Sequence, residues 1–270
     1  LRSGRRGREF ESPHPDYFCQ FSSNLNQSLM TYELFNTIHN RKLSANYDEL
    51  YKNAVNSILT NNYQTDSNLD NINDNRLGIT LLVRPNEEIK NEINKFLSDL
   101  NSVDPDQYYY PDSDLHITVC SIISCYDGFS IDLIKPDDYI KLLDICLLEK
   151  KSFNMGFKGI TASPSCVMIR GFFENTLNEI RGNIRHYFQN SSIQQSIDQR
   201  YVQQTGHITA VRFRKQLADK DAYLEVFKKY LDYDFGSFEV KEMELVFNDW
   251  YQRKSRVKTL GVLKLINSES

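Results

Sequence analysis

Twice in this chain an apolar strand leads into an amphipathic helix and then into a second strand that carries His-Ile-Thr. In the first copy LGITLLV (77–83) is apolar and β-branched, Pro85 suits the opening turn of a helix, and Ile89, Ile93, Phe96, Leu97 and Leu100 recur at helical spacing before LHITVCSII (115–123). In the second copy CVMIRGFF (166–173) precedes a helical stripe of Leu177, Ile180, Ile184 and Phe188, and GHITAVRF (206–213) closes the unit. Each unit is about 40 residues long and is followed by a further helical pattern, at 136–150 and at 221–232. Repetition on this scale constrains the fold more than either tripeptide does. It predicts an α+β fold of two pseudo-symmetric lobes of antiparallel β-sheet with outer helices, built from duplicated strand-helix-strand units around a central cleft. Late strands at KEMELVFNDW (241–250) and VKTLGVLKLI (257–266) belong to the same 77–270 domain.

Composition narrows the function. A chain of 270 residues buries ~73% of its extended surface, so the core needs no metal or disulfide staple. No stretch approaches the ~20 consecutive apolar residues of a membrane span. The net charge is −4, without the basic excess that wrapping duplex DNA calls for. A small phosphate ester or an RNA end still fits, because a local cluster of donors suffices. The five cysteines are odd in number and three lie in apolar stretches, which reads as buried free thiols in a reducing, cytoplasmic setting. No paired CxxC motif supports a zinc site. We expect a monomer without cofactor or metal.

The N-terminal stretch LRSGRRGREFESPHPDYF has clustered arginines but no apolar segment of signal-peptide length and no hydrophobic period. Its Arg-Glu-Phe-Glu-Ser-Pro run can be encoded by the GTTCGA-type loop of a transfer-RNA gene. Residues 1–29 are therefore expected to be a disordered or spurious extension, with the biological start at Met30. Residues 30–76 are expected to form a helical segment, clearest over 46–60, followed by an Asn/Asp-rich surface linker at 60–75.

Side chains alternate along a strand, so His116 and Thr118 share one face, as do His207 and Thr209, while Ile117, Val119, Ile208 and Ala210 face the core. Two imidazoles and two hydroxyls converging on one cleft make a phosphate site. Phosphodiester hydrolysis needs a base for water and an acid for the leaving oxygen, and imidazole, with a pKa near 6.5, serves in either role. The threonine hydroxyls can donate to the non-bridging oxygens.

The paired LHITV (115–119) and GHITA (206–210), each closing a strand-helix-strand unit, resemble the two-histidine (2H) phosphoesterase superfamily, which includes 2′,5′-RNA ligase-like proteins and cyclic nucleotide phosphodiesterases. The resemblance covers roughly residues 77–266, and both copies match the pattern His-x-Thr/Ser with hydrophobic flanks. It implies metal-independent hydrolysis of a 2′,3′-cyclic phosphate or a 2′,5′ linkage in nucleotides or RNA ends. His116 and His207 would then be catalytic, and Thr118 and Thr209 would hold the phosphate. Competing readings are the reverse reaction, 2′,5′ RNA ligation, which calls for a larger basic rim, and a non-catalytic nucleotide- or RNA-binding module.

Around these motifs, Tyr108, Tyr109 and above all Tyr110, with Tyr126 and Tyr251, are candidates for stacking on a base. Trp250 reads as core. Strict alternation places Arg212 and Arg214 on the face opposite His207, so neither reaches the phosphate unless a bulge re-aims it. His14, His39 and His186 fall in no motif, and His39 reads as a surface residue.

Overall fold

The computed structural model describes residues 15–268, with side chains from Asn36 onward. Helix α1 (Pro15–Leu59) extends upstream of the helical segment predicted from Met30, and residues 15–29, expected as a disordered or spurious extension, are helical. Pro15 occupies the first turn, and no glycine or proline interrupts the chain before Gly78. Asn61, with φ 57 in the left-handed region, ends the helix. The first 14 residues lie outside the described part of the chain.

The duplicated units then follow in order. The first comprises β1 (Leu77–Val83), α2 (Glu87–Val103), a short β2 (Tyr108–Tyr109) and β3 (Ile117–Tyr126). After α3 (Pro136–Cys146) and β4 (Phe153–Ser163) comes the second, β5 (Cys166–Phe173), α4 (Asn175–Gln189) and β6 (Ile208–Arg212). Helix α5 (Lys220–Tyr230) and strands β7 (Asp234–Val240), β8 (Glu242–Asp249) and β9 (Lys258–Lys264) complete the chain. The Asn86 side chain accepts from the Ile89 amide at 3.0 Å and caps α2, whose buried stripe is the predicted Ile89, Ile93, Phe96, Leu97 and Leu100.

All the strands join one antiparallel sheet in the order β7-β4-β5-β6-β3-β1-β8-β9, with β2 also on β6. The two lobes are its halves. Read outward from the centre, each half presents a His-Ile-Thr strand (β6 or β3), then the strand that opens its unit (β5 or β1), then two flanking strands. The halves meet where Ile117 pairs with Ile208. Each crossing helix packs on the other half: α2 lies against β7, β6 and α5, whereas α4 lies against β3 and α3.

Helix α1 is part of this body. Leu43, Tyr47, Ala54 and Ile58 form one buried face, and the helix packs on β4 and β5. The expected surface linker is also partly buried, at Tyr63, Leu69 and Asp74. Its Asn and Asp residues do make the turns their type predicts, with Asp66, Asn71 and Asp74 side chains each accepting from the amide two residues on. Cys120, Cys125, Cys146 and Cys166 are free, buried thiols. Among the described residues no helix is long and apolar enough to cross a membrane.

Candidate active site

With Ile117 paired to Ile208 in antiparallel register, His116 stands across from Thr209 and Thr118 across from His207. The four predicted residues therefore form a square, one histidine at each end of a diagonal, and such diagonals span about 7–8 Å. All four line a single cavity of about 130 Å³, roughly the volume that holds a benzene-sized ring. The two isoleucines are fully buried on the opposite face, as alternation requires.

The imidazoles are held by their Nδ1 atoms. His116 Nδ1 lies 2.7 Å from the carbonyl oxygen of Asp114, which can only accept, so Nδ1 carries the proton and Nε2 is left for the cavity. His207 Nδ1 lies 2.8 Å from the Thr205 hydroxyl, which can donate or accept and leaves either tautomer open. Burial pushes both histidines down to about 4; at His116 the Asp114 carbonyl opposes that shift, and at His207 the Arg181 and Arg212 charges reinforce it. With both values near 4 the rings are uncharged at neutral pH.

The cavity wall is cationic and polar. Among the described residues it includes Arg200 and Arg212 and not one carboxylate, in a chain whose net charge is negative. Arg212 contradicts strict alternation. Val167 pairs with Val211 and Met168 with Thr209, so Ala210 is an extra residue, a bulge that rotates Arg212 onto the histidine face. Strand β3 has three similar register shifts against β1, and they bring Ser121 and Ser124 onto the face of Thr118. Ser121 is thus the counterpart of Arg212 in the first copy. Arg214 stays outside the cavity, 3.3 Å from Asp70 and over the ring of Tyr108.

The aromatic candidates divide differently from the expectation. Tyr110 edges the cavity but is 2% exposed, with its hydroxyl accepting from Arg212 Nε at 2.9 Å, so it has no free face for a base. Tyr251 is fully buried, bonded to Asp66 and flanked by Arg212 and Arg253. Tyr126 lies outside the cavity against Phe129. Tyr108 and Tyr109 are partly buried in β2 and also lie outside it. Instead Trp250, read as core, lines the wall with Arg76 and Arg200 over its ring, and the exposed Tyr201 joins it. Both follow polar loop or strand-end positions, where sequence period carries no signal. His39 is partly buried against Phe173.

Beneath the motifs lies Arg181, 1% exposed, on the buried face of α4. It donates to the carbonyls of Val119 and Thr118, each at 2.9 Å, and of Thr205 at 2.8 Å, and so ties the two motif strands together. Its guanidinium lies over the Phe173 ring. From α1, the Tyr47 hydroxyl donates to the Gly171 carbonyl at 3.1 Å and accepts from the Gly206 amide at 3.3 Å. Gly171 must be glycine, since a Cβ there would meet the Gly206 oxygen at 1.9 Å. No group of three or more His, Cys, Asp or Glu side chains is placed to hold a metal ion among the described residues.

No protein-family model matches this chain, and neither does any curated protein. Similar solved structures include a phosphoesterase, 14% identical over 71% of this chain and 99% of that one, with a TM-score of 0.49. Another is E. coli LigT complexed with 3′-AMP, 12% identical over 71% and 99% with a TM-score of 0.45. A third is a conserved protein of unknown function from Agrobacterium tumefaciens, 13% identical over 78% and 97% with a TM-score of 0.47.

Proposed function

We propose that this protein is a phosphodiesterase that hydrolyses 2′,3′-cyclic phosphates or 2′,5′-phosphodiester bonds of nucleotides or RNA ends, with His116 and His207 as acid and base. The carrying observation is the cavity itself, in which both His-x-Thr pairs share a wall with two arginines and no carboxylate. An incoming phosphodiester anion is drawn to that field and raises the affinity of the neighbouring imidazoles for a proton. One imidazole takes a proton from water as its oxygen bonds to phosphorus. The other, as imidazolium, gives a proton to the oxygen whose bond to phosphorus breaks, so charge is conserved across the step. Thr118, Thr209 and Arg212 donate to the non-bridging oxygens, where negative charge grows. Each proton transfer of this kind contributes about 10²–10⁴ in rate. No metal enters the scheme.

The test is a screen of purified full-length protein against 2′,3′-cyclic nucleotides, 2′,5′-linked dinucleotides and ADP-ribose cyclic phosphate, alongside His116→Ala and His207→Ala. Turnover of one class, lost in both variants, is the expected result. No turnover of any, or turnover that survives both substitutions, overturns the proposal.

A further inference from the structure

The cavity is lopsided despite its matched motifs. Its strand residues come from β6, β3, β1 and β8, and none comes from β4, β5, β7 or β9. Moving outward from the histidines, the wall passes from Thr209 and Arg212, over the hydroxyls of Ser121 and Thr80, to Asn248 and then Trp250. Three strand spacings separate β6 from β8, about 14 Å, the length of a phosphate, a pentose and a ring laid in line along the open face of the cavity. The ligand's organic part thus has one direction in which to lie.

At the far end two acceptors wait unpaired. Asn248 is 2% exposed and Gln252 3% exposed, both border the cavity, and neither Asn248 Oδ1 nor Gln252 Oε1 has a hydrogen-bond partner among the described residues. The Asn248 amide is fixed with its oxygen free, because Nδ2 donates to the Asp249 carbonyl at 2.9 Å. Gln252 also sits at φ 58, a left-handed backbone that glycine would adopt without strain. Between them in sequence stands Trp250, whose ring is covered by Arg200 at 4.8 Å. Arg200 is exposed and has no ion pair among the described residues, so it can yield that face.

We infer that this end of the cavity is a subsite for a nucleobase bearing an amino group, which stacks on Trp250 and donates to Asn248 Oδ1 and Gln252 Oε1. The inference rests on the phosphoester reading and deepens it. Two acceptors already stripped of water favour adenine, guanine or cytosine, whose exocyclic amines donate, and disfavour uracil, which presents a carbonyl at the equivalent position. The substrate class is then a nucleotide or RNA end terminating in an amino-bearing base.

Trp250 is the only tryptophan in the chain, so its emission reports on the subsite directly. Full-length protein is titrated with adenosine, cytidine and uridine 2′-monophosphates and with inorganic phosphate, with affinities from calorimetry and emission recorded in parallel. Adenylate and cytidylate should change Trp250 emission and bind about tenfold more tightly than uridylate, a preference of the size two neutral hydrogen bonds supply. Phosphate should bind without altering emission. Gln252→Gly, which suits the left-handed backbone and so keeps the fold, should weaken the preference for adenylate and leave phosphate affinity unchanged. Equal affinity for all three nucleotides with silent emission, or an unchanged preference in Gln252→Gly, overturns the subsite while the phosphate site stands. Failure of phosphate and nucleotides alike to bind overturns the reading beneath it.

Discussion

The carbonyl oxygen of Asp114 lies 2.7 Å from His116 Nδ1 and thereby fixes which ring nitrogen of that histidine meets the ligand. In the proposed mechanism Nε2 is the atom of His116 that does the chemistry, and no rotation of the ring is needed to present it. His116→Ala and His207→Ala should each lower kcat by about 10²–10⁴ with an unchanged circular dichroism spectrum. Because the two act on one bond, the double variant should lose far less than the product of the single losses. Steady-state kinetics of the four proteins checks this.

Both imidazoles are held near 4 by burial, below the ordinary 6.5. Between those values the unfolded chain binds protons that the folded chain refuses, so their contribution to stability is complete above about pH 6.5 and is lost as the pH falls to about 4. Urea unfolding across that window should show a steeper loss in the native protein than in a His116→Ala/His207→Ala variant. Identical slopes would mean that the rings are not desolvated.

The same values govern turnover. In the proposed mechanism one ring must be charged and one neutral in the free protein, which kcat/KM reports, so kcat/KM should fall about tenfold per pH unit above pH 5. In the complex the phosphate anion raises the imidazole pKa, and the alkaline limb of kcat should lie at higher pH. Coincident limbs would remove the phosphate from the neighbourhood of the rings.

Thr118 offers a hydroxyl to the cavity from a position across from His207. Thr118→Val keeps the shape and loses the donor, whereas Thr118→Ser keeps the donor. The valine variant should lose about tenfold or more in kcat/KM and the serine variant much less. Equal losses would assign Thr118 a packing role.

Arg181 serves three carbonyls from the interior and has no ion pair among the described residues. Arg181→Met leaves those acceptors bare in the core, at about 1–3 kcal/mol each. A thermal melt should show a Tm drop of roughly ten degrees or more, since 1 kcal/mol moves Tm by about 2–4 °C at this size.

Much of this architecture is written in local pattern. Strands β1 and β5 match the apolar runs residue for residue, and the α2 stripe is the predicted one, because burial on a single face imposes a period that composition reveals. Strands β4 and β7 left no such mark: Gly156, Gly159 and Lys158 interrupt the first and Gly236 the second. Both His-x-Thr pairs were legible, as was their common face. The Ala210 bulge was not, since an extra residue is defined by the partner strand, and with it Arg212 was misplaced. Trp250 looked like core because large aromatics usually are, and only the fold reveals the two guanidiniums that cover it at the cavity wall. The Asn/Asp-rich stretch showed its turns but not that Asp66 would accept from Tyr251, a partner 185 positions away.

Tyr47 braces the peptide just before His207 from a helix that neither motif encodes. A shortened protein beginning at Leu77 would retain every cavity residue and yet lack the strut under its second imidazole. The leading helix is accordingly scaffold rather than appendage, and grafting the duplicated units alone into another context would transplant the reagents without their alignment.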